Sequence, residues 1–103
     1  MKYFLYKLIP PRPTFAQDMK EAEARLMQEH AAYWKGLMDR GVVVAFGPVL
    51  DPKGGYGVGI VELEDTADAN DLGVNDPTIK ANIGFRFEMY PMPRVMVRER
   101  HIN

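Results

Sequence analysis

Tyr3-Phe4-Leu5-Tyr6-Lys7-Leu8-Ile9 alternates, yet both of its alternating sets are largely apolar. Tyr3, Leu5 and Ile9 form one set, and Phe4, Tyr6 and Leu8 form the other. Period-two geometry sends the two sets to opposite faces of a sheet. A strand that is apolar on both faces belongs near the centre of a sheet covered on both sides. Pro10-Pro11-Arg12-Pro13 ends the strand, because proline cannot donate to a ladder.

Thr14 to Gln17 has capping-box spacing, so a long helix is expected from there to about Arg40. Leu26, His30, Tyr33, Trp34, Leu37 and Met38 recur at helical spacing and share one face. Gly41 is a natural C′ stop. Val42 to Leu50 reads as a second strand, with Gly47-Pro48 suggesting a bulge or a close backbone approach. Asp51-Pro52-Lys53-Gly54-Gly55 is a turn, and Tyr56 to Leu63 is a third strand that closes a hairpin. Asp65 to Leu72 is expected to be a short helix. Asp76 followed by Pro77 marks a further helical start as N-cap and N1, running to about Asn82. Gly84 breaks this turn, and Phe85 to Tyr90 alternates as a fourth strand. In the tail from Pro91 to Asn103, Val95-Met96-Val97 is suited to a short strand or a partner-docking arm.

The order β-α-β-β-α-β is the ferredoxin-like split βαβ, an α+β fold. It places a four-stranded antiparallel sheet under helices on one face only. The doubly apolar first strand requires the other face to be covered, and no remaining segment is large enough to do so. A homodimer, packed sheet to sheet through an isologous interface, is therefore expected.

Bulk properties narrow the function classes. A chain of 103 residues makes one domain. Its 47% hydrophobic and 26% charged content is that of a globular protein. A net charge of −1 gives no attraction for phosphate backbones, so nucleic acid is not an expected partner. The absence of cysteine excludes disulfides, a thiol nucleophile and thiolate metal sites, and fits a reducing cytoplasm. The absence of serine excludes a serine triad. No apolar run approaches the roughly 18 residues of a membrane span, and the apolar start is too short for a signal peptide. His30 and His101 have no metal-ligand spacing.

Several residues are candidates for chemistry. His30 is aimed at the core, where it is either a satisfied structural histidine or an acid/base group oriented by Asp76. Asp76 by itself reads equally as a plain N-cap. Phe46-Gly47-Pro48 either opens a strand beside a pocket or leads into the turn. Arg86 and Glu88 fall on the face away from the helices, where they pair structurally, or Arg86 binds a substrate carboxylate. Tyr33, Trp34 and Phe46 are core aromatics or the wall of an apolar pocket.

The ordered set of short motifs carries a resemblance. It comprises Glu29-His30 with Tyr33 and Leu37, then Gly41, Phe46-Gly47-Pro48-Val49 and the Asp51 to Gly54 turn. Gly59-Ile60-Val61-Glu62, Asn75-Asp76-Pro77 and Gly84-Phe85 to Pro91 complete it. Residues 1–93 resemble the YCII-related family of the dimeric α/β-barrel superfamily, and 94–103 form a distinct tail, suited to dimer docking. The resemblance implies a dimeric α/β barrel with His30 and Asp76 as an active-site pair. One relative is a dehydrochlorinase acting on a chlorinated muconolactone, and distant relatives include muconolactone isomerases and cofactor-free monooxygenases. The chain departs from the pattern in its proline-rich loop, its short acidic segment Asp65 to Asn75 and its tail. The expectation is a cofactor-independent and metal-independent enzyme, a lactone isomerase or dehydrochlorinase type. His30 and Asp76 are its catalytic pair, and Tyr33, Trp34, Phe46, Gly47, Pro48 and Arg86 bind a small cyclic, carboxylated substrate. The alternative is a non-catalytic ligand-binding or dimerisation module.

Overall fold

The sheet order is β2-β3-β1-β4, with every neighbouring pair antiparallel. In this computed structural model, which describes residues 1–99, the strands are β1 (Lys2–Ile9), β2 (Val43–Val49), β3 (Tyr56–Leu63) and β4 (Arg86–Met92). The helices are α1 (Phe15–Asp18), α2 (Glu21–Asp39), α3 (Asn70–Val74) and α4 (Pro77–Lys80). The architecture is α+β and ferredoxin-like, and the doubly apolar β1 lies in the interior of the sheet as expected.

Register assigns the two faces. Tyr6 lies opposite Gly59 and Met89, and Leu8 lies opposite Gly57 and Phe87. This side meets the helices, since Tyr6, Leu8, Val61 and Phe85 share one buried cluster with Trp34 and Leu37 of α2. Alternation sends Leu5, Lys7, Val58, Ile60 and Arg86 to the other side, which no helix covers. Both edge strands carry a proline, Pro48 in β2 and Pro91 in β4. An edge position is where a missing N–H is tolerated.

The long helix expected from Thr14 is instead two helices separated at Met19 and Lys20. Thr14 does not cap; its hydroxyl donates to Asp18 Oδ2 at 2.7 Å. The effective start is Lys20, whose backbone N–H donates to Glu23 Oε1 at 2.9 Å. Arg12 reinforces the break by donating to both Glu23 oxygens at 2.8 Å and to Asp18 Oδ1 at 2.7 Å. At the far end, Gly41 has φ 80°. Gly41 donates to Met38 O at 3.0 Å and Val42 to Leu37 O at 2.9 Å, a Schellman closure.

The irregularity in β2 falls at Val44, between the Val43 and Ala45 pairings, and the ladder continues through Gly47 and Pro48. The short helix expected at Asp65 to Leu72 is displaced to α3. Asp68 turns the chain first, its Oδ1 accepting from the Asn70 N–H at 3.0 Å. α4 stops at Lys80, and the chain reverses through Asn82 at φ 53° and Gly84 at φ 111°. β4 extends past Tyr90 to Met92, with Pro91 opposite Phe4. Residues 93–99 form no strand, so the short strand expected at Val95 to Val97 is not made within the chain. The last four residues of the 94–103 tail lie outside the described residues.

Candidate functional site

Asp76 is the N-cap of α4, with extended backbone angles that aim its side chain back along the helix start. The carboxylate is fully buried. Oδ1 accepts from the Thr78 backbone N–H at 2.9 Å and the Thr78 hydroxyl at 2.8 Å. Oδ2 accepts from Trp34 Nε1 at 2.8 Å and the Tyr6 hydroxyl at 3.0 Å. His30 Nδ1 stands 2.9 Å from Oδ2 and 3.0 Å from Oδ1. Side chains from β1, α2 and α4 thus converge on one carboxylate. Burial pushes this carboxyl up, but the bonds from His30, Trp34 and Thr78 outweigh that and hold it below the ordinary carboxylate range. Burial first, then the charge of Asp76, push the Tyr6 phenol far above its usual value, so it remains a donor.

An ionised carboxylate only accepts, so His30 Nδ1 carries a proton and donates it. Neutral His30 then has its lone pair on Nε2. The His30 side chain is 14% exposed against none for Asp76, so the imidazole is the reachable member of the pair. Its ring borders a cavity of about 280 Å³ between α2 and the sheet. Leu8, Phe15, Met27, Phe46 and Phe85 supply apolar walls, and Trp34 packs 4.6 Å from Tyr6 and 6.2 Å from Phe46, centroid to centroid.

The cavity exists because β3 carries glycine at alternate positions under α2. A Cβ on Gly59 would come within 2.8 Å of the Trp34 ring. A Cβ on Gly57 would meet only Leu8, at 3.5 Å, so Gly57 leaves the floor open.

The structure brings His30, Trp34, Phe46, Gly47 and Pro48 to the cavity and places Asp76 behind His30. Two expected substrate-binding residues are elsewhere. Tyr33 turns away from the cavity, its hydroxyl donating to Leu72 O at 2.8 Å, because three residues from His30 fall about 60° short of a full helical turn and lean the ring toward α3. Arg86 is on the opposite face of the sheet, where alternation along β4 sends it, beside Lys7 and Glu88 in a separate recess. Sequence reasoning missed Phe15, at the start of α1, and Met19, in the break between α1 and α2, both of which line the cavity. It also missed Met27, one turn before His30, and Gly57, whose signal was the period-two spacing with Gly59. No group of side chains that could hold a metal ion occurs among the described residues. No helix there is long and apolar enough to cross a membrane.

Fold and site together define a small ferredoxin-like α+β protein with an apolar cavity that ends on a carboxylate-backed histidine. Residues 1–93 match the YCII-related domain, and the chain belongs to that family. No curated protein matches the chain.

Proposed function

We propose that the protein is a small-molecule enzyme that moves a proton with His30 and Asp76 and needs no cofactor. The observation that supports this most is the setting of His30, bonded through Nδ1 to a buried carboxylate and bordering an apolar cavity. Asp76 fixes the tautomer and stabilises the imidazolium; it takes no proton itself. Nε2 removes a proton from a carbon next to a carbonyl. In an isomerisation the C–H electron pair moves into the conjugated system and the proton returns from Nε2 to a different carbon. In an elimination that pair forms a C=C bond, a halide leaves with its own electrons, and the proton passes from Nε2 to water. Small lactones suit both, giving a lactone isomerase or dehydrochlorinase type of activity.

A panel of chlorinated and unsaturated lactones, followed by absorbance, tests this. His30→Ala is expected to lower kcat/KM by at least about 10²-fold, the usual weight of a positioned base, with the circular dichroism spectrum retained. Turnover that survives in His30→Ala rules the mechanism out. A second reading, ligand binding without chemistry, is favoured by the cavity lining, which among the described residues holds no Lys, Arg, Asp or Glu to assist His30. Recovery of every lactone unchanged after long incubation selects that reading. The uncovered sheet face supports a homodimer, and the cysteine-free composition supports a reducing, cytoplasmic setting.

A further inference from the structure

We propose that the cavity beside His30 takes an uncharged compound of one or two rings bearing a carbonyl oxygen, and rejects carboxylates. The inference rests on the reading of this cavity as a substrate site and replaces the carboxylated substrate expected from the sequence.

The argument is a count of charge. Asp76 is fully buried and bonded by Tyr6, His30, Trp34 and Thr78, an arrangement that suits the ionised form. Among the described residues, the only group bonded to it that can carry a positive charge is His30. The protonated pair sums to zero, and with His30 neutral the pair carries −1. A ligand carboxylate adds a further negative charge in either state. Among the described residues the lining offers no Lys or Arg to offset it. Arg12, on the loop that reaches the cavity, is committed to Glu23 through two bonds of 2.8 Å and to Asp18. Lys7, Lys53 and Arg86 line a neighbouring recess that shares Pro10, Gly55 and Tyr56 with the cavity, and none of the three lines the cavity itself. An ionised carboxylate stripped of water, with no cation but the one Asp76 already shares, is strongly disfavoured.

Size and polarity agree with this. An engineered apolar cavity of about 150 Å³ holds benzene, and the cavity here is about 280 Å³. The Trp34 N–H and the Tyr6 hydroxyl both point to Asp76 and do not serve a ligand. In the imidazolium form His30 Nε2 carries a proton, and this N–H is left to donate to one ligand oxygen, which fits a cyclic ketone or a lactone.

The test uses the full chain and a matched pair of probes, coumarin and coumarin carboxylate, at neutral pH. Trp34 is the single tryptophan, so its indole N–H gives one resonance, and that N–H donates to Asp76 beside the cavity. Coumarin is expected to shift this resonance and to bind at least about tenfold tighter than the carboxylate. Gly57→Val raises the cavity floor and is expected to weaken coumarin about tenfold, with Gly57→Ala as a milder version that meets Leu8 only at ordinary contact distance. Met19→Lys supplies a cation to the lining and is expected to raise the affinity for the carboxylate. Equal or tighter carboxylate binding to the unaltered chain overturns the inference. So does binding of neither probe at about 1 mM, or coumarin affinity unchanged in both Gly57 variants. Selective coumarin binding with no lactone turned over removes the catalytic reading and leaves this inference standing. Turnover of a carboxylated lactone that is lost in His30→Ala does the reverse.

Discussion

Asp76 is the residue on which the site turns, because every donor around it is buried or half-buried and, among the described residues, hydrogen-bonds to Asp76 alone. Asp76→Asn would place an NH₂ group among donors and is expected to cost about 2–4 kcal/mol, read as a lower urea midpoint with the folded spectrum kept. A midpoint equal to that of the unaltered chain contradicts the network. The sign of the pH effect follows from the lowered carboxyl. Its contribution is complete above the unfolded value of about 3.9 and is lost as pH falls through the folded one. Urea titrations from neutral pH down to the acid range should therefore show stability falling on the acid side, and less steeply in Asp76→Asn. The N-cap role of Asp76 was legible from the proline after it. Its bonds to Trp34, 42 positions away, and Tyr6, 70 positions away, were not, since sequence spacing carries no information on such contacts.

At the level of elements, local rules worked where local chemistry is uncontested. The Gly41 stop and the Pro77 start are both where their backbone preferences put them. They failed where two signals compete. The spacing from Thr14 pointed to one long helix, but Arg12 draws Asp18 and Glu23 together and breaks it. The Arg12 guanidinium, and then the Lys20 N–H, hold the Glu23 carboxyl down to about 2. This latch is complete above the ordinary Glu value of 4.5 and is lost as pH falls from there toward about 2. Arg12→Ala is expected to speed proteolytic cleavage between residues 10 and 20, and acid is expected to do the same to the unaltered chain. Cleavage no faster in Arg12→Ala would show that the latch does not hold the loop. In β3, Gly59→Ala forces the Trp34 ring off its site, with an expected loss of about 1–3 kcal/mol and a displaced indole N–H resonance. An unmoved resonance would mean that the ring has room the structure does not provide.

For the whole molecule, the β-α-β-β-α-β order was enough to deduce the sheet, because antiparallel neighbours and one helical layer leave few ways to connect six elements. What meets the other face was inferred from the apolar character of β1 and has its own test. Leu5 and Ile60 stand opposite each other there across β1 and β3, and Val58, opposite Lys7, extends this apolar centre. The unaltered chain is expected to sediment as a dimer and Ile60→Asp as a monomer, since a carboxylate buried in that centre has no partner. An unaltered chain that sediments as a monomer removes the sheet-to-sheet dimer. The two edges point the same way. Pro48 and Pro91 each remove a donor from the rim of the sheet, and Val44 bulges out of one of them. Strand-by-strand recruitment of further copies is therefore blocked at both rims. On the proposed dimer, a crowded population of this chain is expected to stack faces in pairs and stop there rather than grow into fibrils.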